Sequence, residues 1–425
     1  MRARLDEREP REAFRALAPL IRYPAPFAPE SPDTELFAEV SQALGAEPLC
    51  AALAAVRAAP DEVDALYKLG YELIEHDLNG YAAAVLERAR ALSPRSARVL
   101  TELVSALERD LNHVAAVETL RGAPDLVAED FLCRYLLAFN AALTGDLEEP
   151  RRLLPDLLGD DDPRYEGMAE RVAGLLARAD GLAGVRPLDE SDLLGWHFVI
   201  TGGLLLHRSD AGPEVMRGRY AWVQDSTARC LEGLRKVQAL LEEAGLELPR
   251  VFALPDPHGA VVAEAAAQLL DLPLEAWPEE GSEQPGLVVA YDLAEVGGAL
   301  RPLLEHRPAQ VVFAHAADWT RDFPLAADLT TYLYQFNTAP WDPQLVVEEG
   351  EVAQRGPRAV PLEERAREVI HAELEEQALS DLDELRALVR AARELPLQHS
   401  AGLLRAAGTR ERHWAGSPVR SNRFA

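Results

Sequence analysis

A chain of 425 residues and 46.6 kDa exceeds what one hydrophobic core serves, so two or three domains are expected. Apolar residues at 48% and charged residues at 27% exclude a disordered or fibrous chain. The 43 basic residues against 71 acidic ones leave a net charge of −28, which repels phosphate backbones and excludes a general nucleic-acid binder. Cys50, Cys133 and Cys230 are scattered and odd in number, which argues against a disulfide framework or a paired-cysteine metal knuckle. No apolar run has the length to cross a bilayer, and MRARLDEREPREAF lacks the apolar segment of a signal peptide. The expectation is a cytoplasmic protein with no membrane partner.

In chain order, the first predicted element is an amphipathic helix over Glu12–Ile21, followed by the proline-rich RYPAPFAPESP, which no helix could cross. From Thr34 to about Asp180, Ala, Leu, Glu and Arg recur in helical period, and the segment repeats itself. Leu66, Leu69, Gly70 and Leu73 mark a first helix, and Ala82, Leu86 and Ala89 a second. The set Leu100, Leu103, Leu107, Ala116, Leu120 and Ala123 follows at a spacing of 34 residues. A weaker third copy runs from Phe131 through Thr144-Gly145-Asp146 to Leu154, with Pro150 starting or bending its second helix. The small residues Gly70 and Ala82 are placed where two antiparallel helices approach closest.

This pattern resembles a tetratricopeptide repeat. The resemblance implies a helical cap over residues 1–60 and a solenoid over 61–185, whose partner is another protein or a peptide.

Beyond Pro187 the chain changes character. Short β-branched and aromatic runs appear: HFVITGGLLLH (197–207), RYAWVQD (219–225), RVFALPD (250–256), LVVAYD (287–292) and QVVFAHAAD (310–318). The last three are nearly continuous in apolar residues, as strands buried on both faces of a parallel sheet must be. Helices are expected between them over Ser226–Ala244, Gly259–Leu270 and Val296–His306. The fold class is therefore α + α/β: a helical-repeat solenoid, then a doubly wound parallel-sheet domain over 190–345, then C-terminal helices and an Arg-rich tail over 360–425. Ligands of such sheets bind at the carboxyl ends of the strands. Those ends carry Asp256, His258 and Gly259, then Asp292, Gly297 and Gly298, then His315 and Asp318.

VVAYDLAEVGGAL (288–300) resembles the phosphoribosyl-pyrophosphate signature of type I phosphoribosyltransferases, and the likeness extends over roughly residues 195–340. It implies a strand, an acidic pair for the ribose and magnesium, and a hydroxyl-rich turn that holds a phosphate at a helix N-terminus. Three departures stand against activity. Glu295, Val296 and Ala299 occupy the hydroxyl positions, and a carboxylate about 4 Å from a phosphate charge costs on the order of 4 kcal/mol. Tyr291 replaces one of the two acids, leaving Asp292 alone. The loop Asp256-Pro257-His258-Gly259 supplies no fixed positive charge.

Duller roles are open to each residue. Asp292 serves as a cap or turn former, Gly297-Gly298 as close packing, Ser226 and Thr227 as caps, Cys230 as core. His258, His315, Asp256 and Asp318 lie at neighbouring strand ends but lack metal-ligand spacing, so no metal is expected. Trp319, Phe323, Tyr332, Tyr334, Phe336 and Trp341 line a pocket or interface, or cover the sheet edge. Residues 344–361 read as a loop of weak strand character, 361–396 as two helices with Ser380 capping the second, and the tail after Leu404 as mobile or folded back on the acidic body. The expected function is a non-catalytic scaffold without cofactor, catalytic residue or nucleic-acid partner. The alternative is a phosphoribosyltransferase or small-ligand sensor using the 256–259 and 292–298 loops.

Overall fold

The computed structural model describes residues 9–209, 217–348, 351–357 and 360–421. Two compact units divide the chain, Met1–Val172 and Ala173–Ala425. The boundary falls inside the expected repeat region of 61–185, and the C-terminal helices fall within the second unit.

The first unit consists of helices α1 (Pro10–Ile21), α2 (Pro32–Ala43), α3 (Glu47–Ala58), α4 (Val63–Glu75), α5 (Asn79–Leu92), α6 (Ala97–Arg109), α7 (His113–Arg121), α8 (Pro124–Glu129), α9 (Phe131–Leu143) and α10 (Glu148–Leu158). A further helix, α11 (Glu166–Gly181), spans the unit boundary. The 34-residue register is visible in burial. Leu66 and Leu100, Leu69 and Leu103, Leu73 and Leu107, Ala82 and Ala116, and Leu86 and Leu120 are all no more than 1% exposed. It is equally visible in the backbone. Asp77, Leu111 and Gly145 all have positive φ, at 58°, 56° and 88°. The amides that follow, of Leu78, Asn112 and Asp146, donate to the carbonyls of Leu73, Leu107 and Ala141 at 2.8, 2.8 and 3.0 Å. The same turn joins α2 to α3, with Gly45 at φ 75° and Ala46 N donating to Ser41 O, so the hairpin series begins earlier than residue 61.

Gly70 is a required glycine: a Cβ there would lie 2.5 Å from Leu86 Cγ. The close approach is therefore to Leu86, one turn beyond the expected Ala82. Helix α10 starts before Pro150, which sits in its first turn, where a missing amide costs nothing.

In the second unit, helix α12 (Leu193–Thr201) takes up the first part of the apolar run 197–207, of which only Leu204–Leu205 is extended. All nine residues are buried, so no periodicity separates helix from strand, and the Asp192 carboxylate decides it by accepting from Gly195 N at 3.0 Å. The strands are β1 (Leu204–Leu205), β2 (Tyr220–Gln224), β3 (Val251–Ala253), β4 (Leu274–Ala276), β5 (Gly286–Asp292), β6 (Gln310–Asp318) and β7 (Leu329–Thr338). They form one sheet in the order β1-β7-β6-β5-β3-β4, with β2 also on β7, and every pairing is parallel. All residues of β5 and β6 are buried, as their apolar runs predict.

Helices α13 (Thr227–Ala244) and α14 (Gly259–Leu270) follow β2 and β3 as expected. The expected helix over Val296–His306 does not form. Gly297 adopts φ 61° and Pro302 lacks an amide donor, so the segment tightens into 3-10 turns over Leu293–Glu295 and Gly297–Leu303.

The stretch read as a loop pairs as an antiparallel hairpin, β8 (Gln344–Glu348) with β9 (Glu351–Arg355). Helices α15 (Leu362–Ile370) and α16 (Leu382–Arg393) pack on α14 and α13 respectively. Ser380 does not cap α16. Its hydroxyl donates to Gln377 O, and Asp381 precedes the helix with its carboxylate 2.8 Å from the Lys236 ammonium.

Among the described residues the tail after Leu404 takes the folded-back alternative rather than the mobile one. Arg410 is 2% exposed and bonds both Asp328 oxygens at 2.9 and 3.0 Å, and His413 Nε2 lies 3.1 Å from Asp318 O. Residues 422–425 lie outside the described range. No helix among the described residues is long and apolar enough to cross a membrane.

Candidate functional site

The carboxyl ends of the parallel strands place most of the predicted residues close together, but in roles other than phosphate binding. After β3, Asp256 turns back on the backbone: Oδ2 accepts from Tyr291 N at 3.0 Å and Oδ1 from His258 N at 3.2 Å. Gly259 makes this possible, since a Cβ there would lie 2.1 Å from Asp256 Oδ2. Burial pushes the Asp256 carboxyl up to about 6, against the hydrogen bonds that oppose it. His258 Nε2 lies 3.1 Å from Asp342 Oδ1, and its ring sits edge-on to Tyr291 and beside Trp341 at 5.4 and 5.7 Å.

Asp292 ends β5 and caps the first 3-10 turn, Oδ1 accepting from Ala294 N at 2.9 Å, while Tyr334 donates its hydroxyl to Oδ2. Burial raises this carboxyl to about 6 as well, with Glu295 and Asp256 adding to the shift. Gly297 and Gly298 face open space, and Glu295 is exposed. The turn therefore carries acid and no α-helix N-terminus, and its glycines serve the backbone conformation.

His258, His315, Asp256 and Asp318, read at neighbouring strand ends with no metal expected, turn to separate partners. His258 goes to Asp342, Asp256 to the backbone, and Asp318 to Thr320 and Arg321. His315 points instead to a cluster that sequence reasoning missed. Asp225 follows β2, Cys230 lies in the second turn of α13, and His315 stands inside β6; all three are buried. Cys230 Sγ donates to Asp225 Oδ2 at 3.6 Å, His315 Nε2 lies 3.0 Å from the same oxygen, and Sγ and Nε2 are 3.5 Å apart.

Tyr291 donates its hydroxyl to Asp225 Oδ2 at 3.0 Å, and Asn337 Nδ2 donates to the Tyr291 oxygen at 3.3 Å. Thr331 Oγ1 is 3.1 Å from His315 Nδ1, and Arg229 reaches Asp225 Oδ1 at 3.3 Å. Burial alone would raise the Asp225 carboxyl, but His315 and Arg229 outweigh it and hold the group below the usual range. Burial, with Asp225 beside it, pushes the Cys230 thiol well up. In this Cys–His–Asp set burial disfavours the thiolate that a nucleophile needs, and none of the three side chains meets solvent. The signal available in the sequence was one histidine interrupting the apolar run of a central strand.

The aromatic group is divided. Tyr332 is buried against His315, Tyr334 against Tyr332 and Trp341 against Tyr291, whereas Phe336 is 54% exposed opposite Trp222 of β2. Comparison of the chain with protein-family models and with curated proteins finds no match.

Proposed function

We propose that the chain is a non-catalytic interaction protein: a tetratricopeptide-like solenoid that holds a segment of another protein, joined to a phosphoribosyltransferase-like module that has lost its phosphate turn. The observation that carries the reading is the recurrence at 34 residues of both the buried register and the left-handed turn, because stacked hairpins of this kind present continuous helix faces to a partner. Tyr71, 46% exposed on α4, and Lys68 line a groove with Pro48, Ala52 and Ala55 of α3 that suits an extended or helical peptide. The reading places the protein in the cytoplasm without cofactor, nucleic acid or membrane partner. A photo-crosslinker at Tyr71 of the full chain should capture one discrete protein, and Lys68→Glu should abolish that adduct; an adduct pattern unchanged by Lys68→Glu counts against it.

The second reading is a small-ligand sensor at the 256–259 and 292–298 loops. One observation favours it: His258 Nδ1 is buried without a hydrogen-bond partner between Tyr291 and Trp341. Calorimetry with phosphoribosyl pyrophosphate and magnesium separates the two readings. No binding at millimolar concentration is expected. A Kd below about 100 μM, about −5.5 kcal/mol, that disappears in Asp292→Ala would replace the scaffold with the sensor.

A further inference from the structure

We infer that Asp225, Cys230 and His315 form a closed structural site for one zinc ion, in which the metal fastens β2, α13 and β6 together. The geometry comes first. The three donor atoms are separated by 3.0, 3.5 and 3.6 Å, so the point equidistant from them lies about 2.0 Å from each. Zinc takes nitrogen and oxygen at roughly 2.0–2.2 Å and sulfur at roughly 2.3 Å. A displacement of a few tenths of an ångström from that point therefore satisfies the set with no rearrangement of the backbone.

The donor types agree with the distances. A thiolate and an imidazole select a borderline-soft cation over magnesium or calcium. One thiolate and one carboxylate neutralise the double charge, and binding releases the thiol proton to solvent. The Tyr291 hydroxyl, hydrogen-bonded to Asp225 Oδ2 at 3.0 Å, is the neighbouring oxygen from which a fourth donor would come.

The surrounding residues orient the ligands. Thr331 Oγ1, 3.1 Å from His315 Nδ1, can accept that nitrogen's proton and leave Nε2 bare for the metal. Arg229 holds the other oxygen of Asp225. Gly233 keeps the space for Thr331, since a Cβ on Gly233 would lie 2.3 Å from Thr331 Oγ1.

A purely hydrogen-bonded knot explains the cluster less well. Sγ and the Tyr291 hydroxyl both donate to Asp225 Oδ2 and Nε2 lies 3.0 Å from it, so three polar atoms crowd one carboxylate oxygen. With the proton on Nδ1, the bare Nε2 would face that oxygen without a hydrogen. A cation among the same atoms turns that crowding into coordination. All three side chains are shut from solvent, which marks a structural site loaded during folding rather than a catalytic one with an open position.

The test uses the full chain, purified without chelator and also refolded with zinc. Elemental analysis should return one equivalent of zinc per chain, lost in Cys230→Ser and in His315→Gln. Cobalt in place of zinc should give a thiolate-to-cobalt charge-transfer band that persists in Cys50→Ser and vanishes in Cys230→Ser. Zinc well below one equivalent after both preparations, or zinc content unchanged by Cys230→Ser, overturns the inference. Should Cys230→Ser fail to fold, the cobalt band in a chain carrying Cys50→Ser and Cys133→Ala decides: its presence supports the site and its absence refutes it.

Discussion

The two units are stabilised by different means. Of the buried polar and charged residues among those described, only Thr34, Ser41, His113 and Asn140 fall in the first unit, against twenty-one in the second. The first unit is held by a repeated register of leucine and alanine, with no specific partner required at most positions. The second buries Asp225, Lys236, His315, Asp328 and Arg410, each of which must keep its hydrogen bonds or charge partner inside a medium that solvates it poorly. Pattern suffices for one unit and pairing is needed for the other. Substitutions should therefore act through volume and backbone conformation in the repeats, and through orphaned charge in the sheet.

The largest effect is expected at Asp225. Alanine there leaves Arg229 and His315 without their carboxylate, and breaking a buried pair costs roughly 3–5 kcal/mol. Denaturant unfolding of the α/β transition measures it. A loss near that of an ordinary surface substitution would erase the contrast between the units.

Next comes a pH effect that belongs to the second unit alone. Asp256 and Asp292 have folded pKa values of about 6, above the ordinary value near 3.9, so the folded form retains their protons. Their contribution is complete below about pH 4 and is lost as pH rises through about 6. Asp292→Asn stays neutral throughout and can keep both hydrogen bonds, with the one to Tyr334 reversed. It should gain on the wild type by on the order of 3 kcal/mol between pH 4 and pH 8. Paired stability curves for the two proteins check this, and parallel curves would refute it.

In the repeats, Gly70→Leu should cost roughly 1–3 kcal/mol by forcing a side chain against Leu86. An unchanged melting temperature would break the proposed register. The smallest effects concern the recurring turn. Gly145→Ala should destabilise by about 1 kcal/mol, because its φ of 88° suits only glycine. Asp77→Gly, at an exposed position with φ 58°, should stabilise by about 0.5 kcal/mol. Thermal melts of the two variants moving in the same direction would show that the turns are not equivalent.

How much of each unit could be read from the residues follows the same division. The helical repeat was legible because Leu66, Leu100 and their companions recur at a period that only stacked hairpins satisfy. The buried runs of β5 and β6 were legible because solvent-free strands leave no polar face. The run 197–207 left helix and strand undistinguished because a segment buried on every side has no period to show, and Val296–His306 was misread because Pro302 and Gly297 outweighed an otherwise helical composition. Of the candidate site, Asp256, His258 and Asp292 were correctly brought to the strand ends, but their partners (Tyr291 N, Asp342 and Tyr334) were not. Cys230 read as core, which its burial fits, and nothing local linked it to a histidine 85 residues away.

By itself the sequence determined the α + α/β class, the 34-residue register, the parallel strands and the acidic character, since each is a matter of period, composition or charge. Only the tertiary structure decided which buried polar groups meet. The convergence of Asp225, Cys230 and His315, the docking of Arg410 on Asp328, and the upward shifts of Asp256 and Asp292 all depend on contacts between distant segments. Local propensity carries no information about them, because a buried charge takes its energy from the groups that surround it in space.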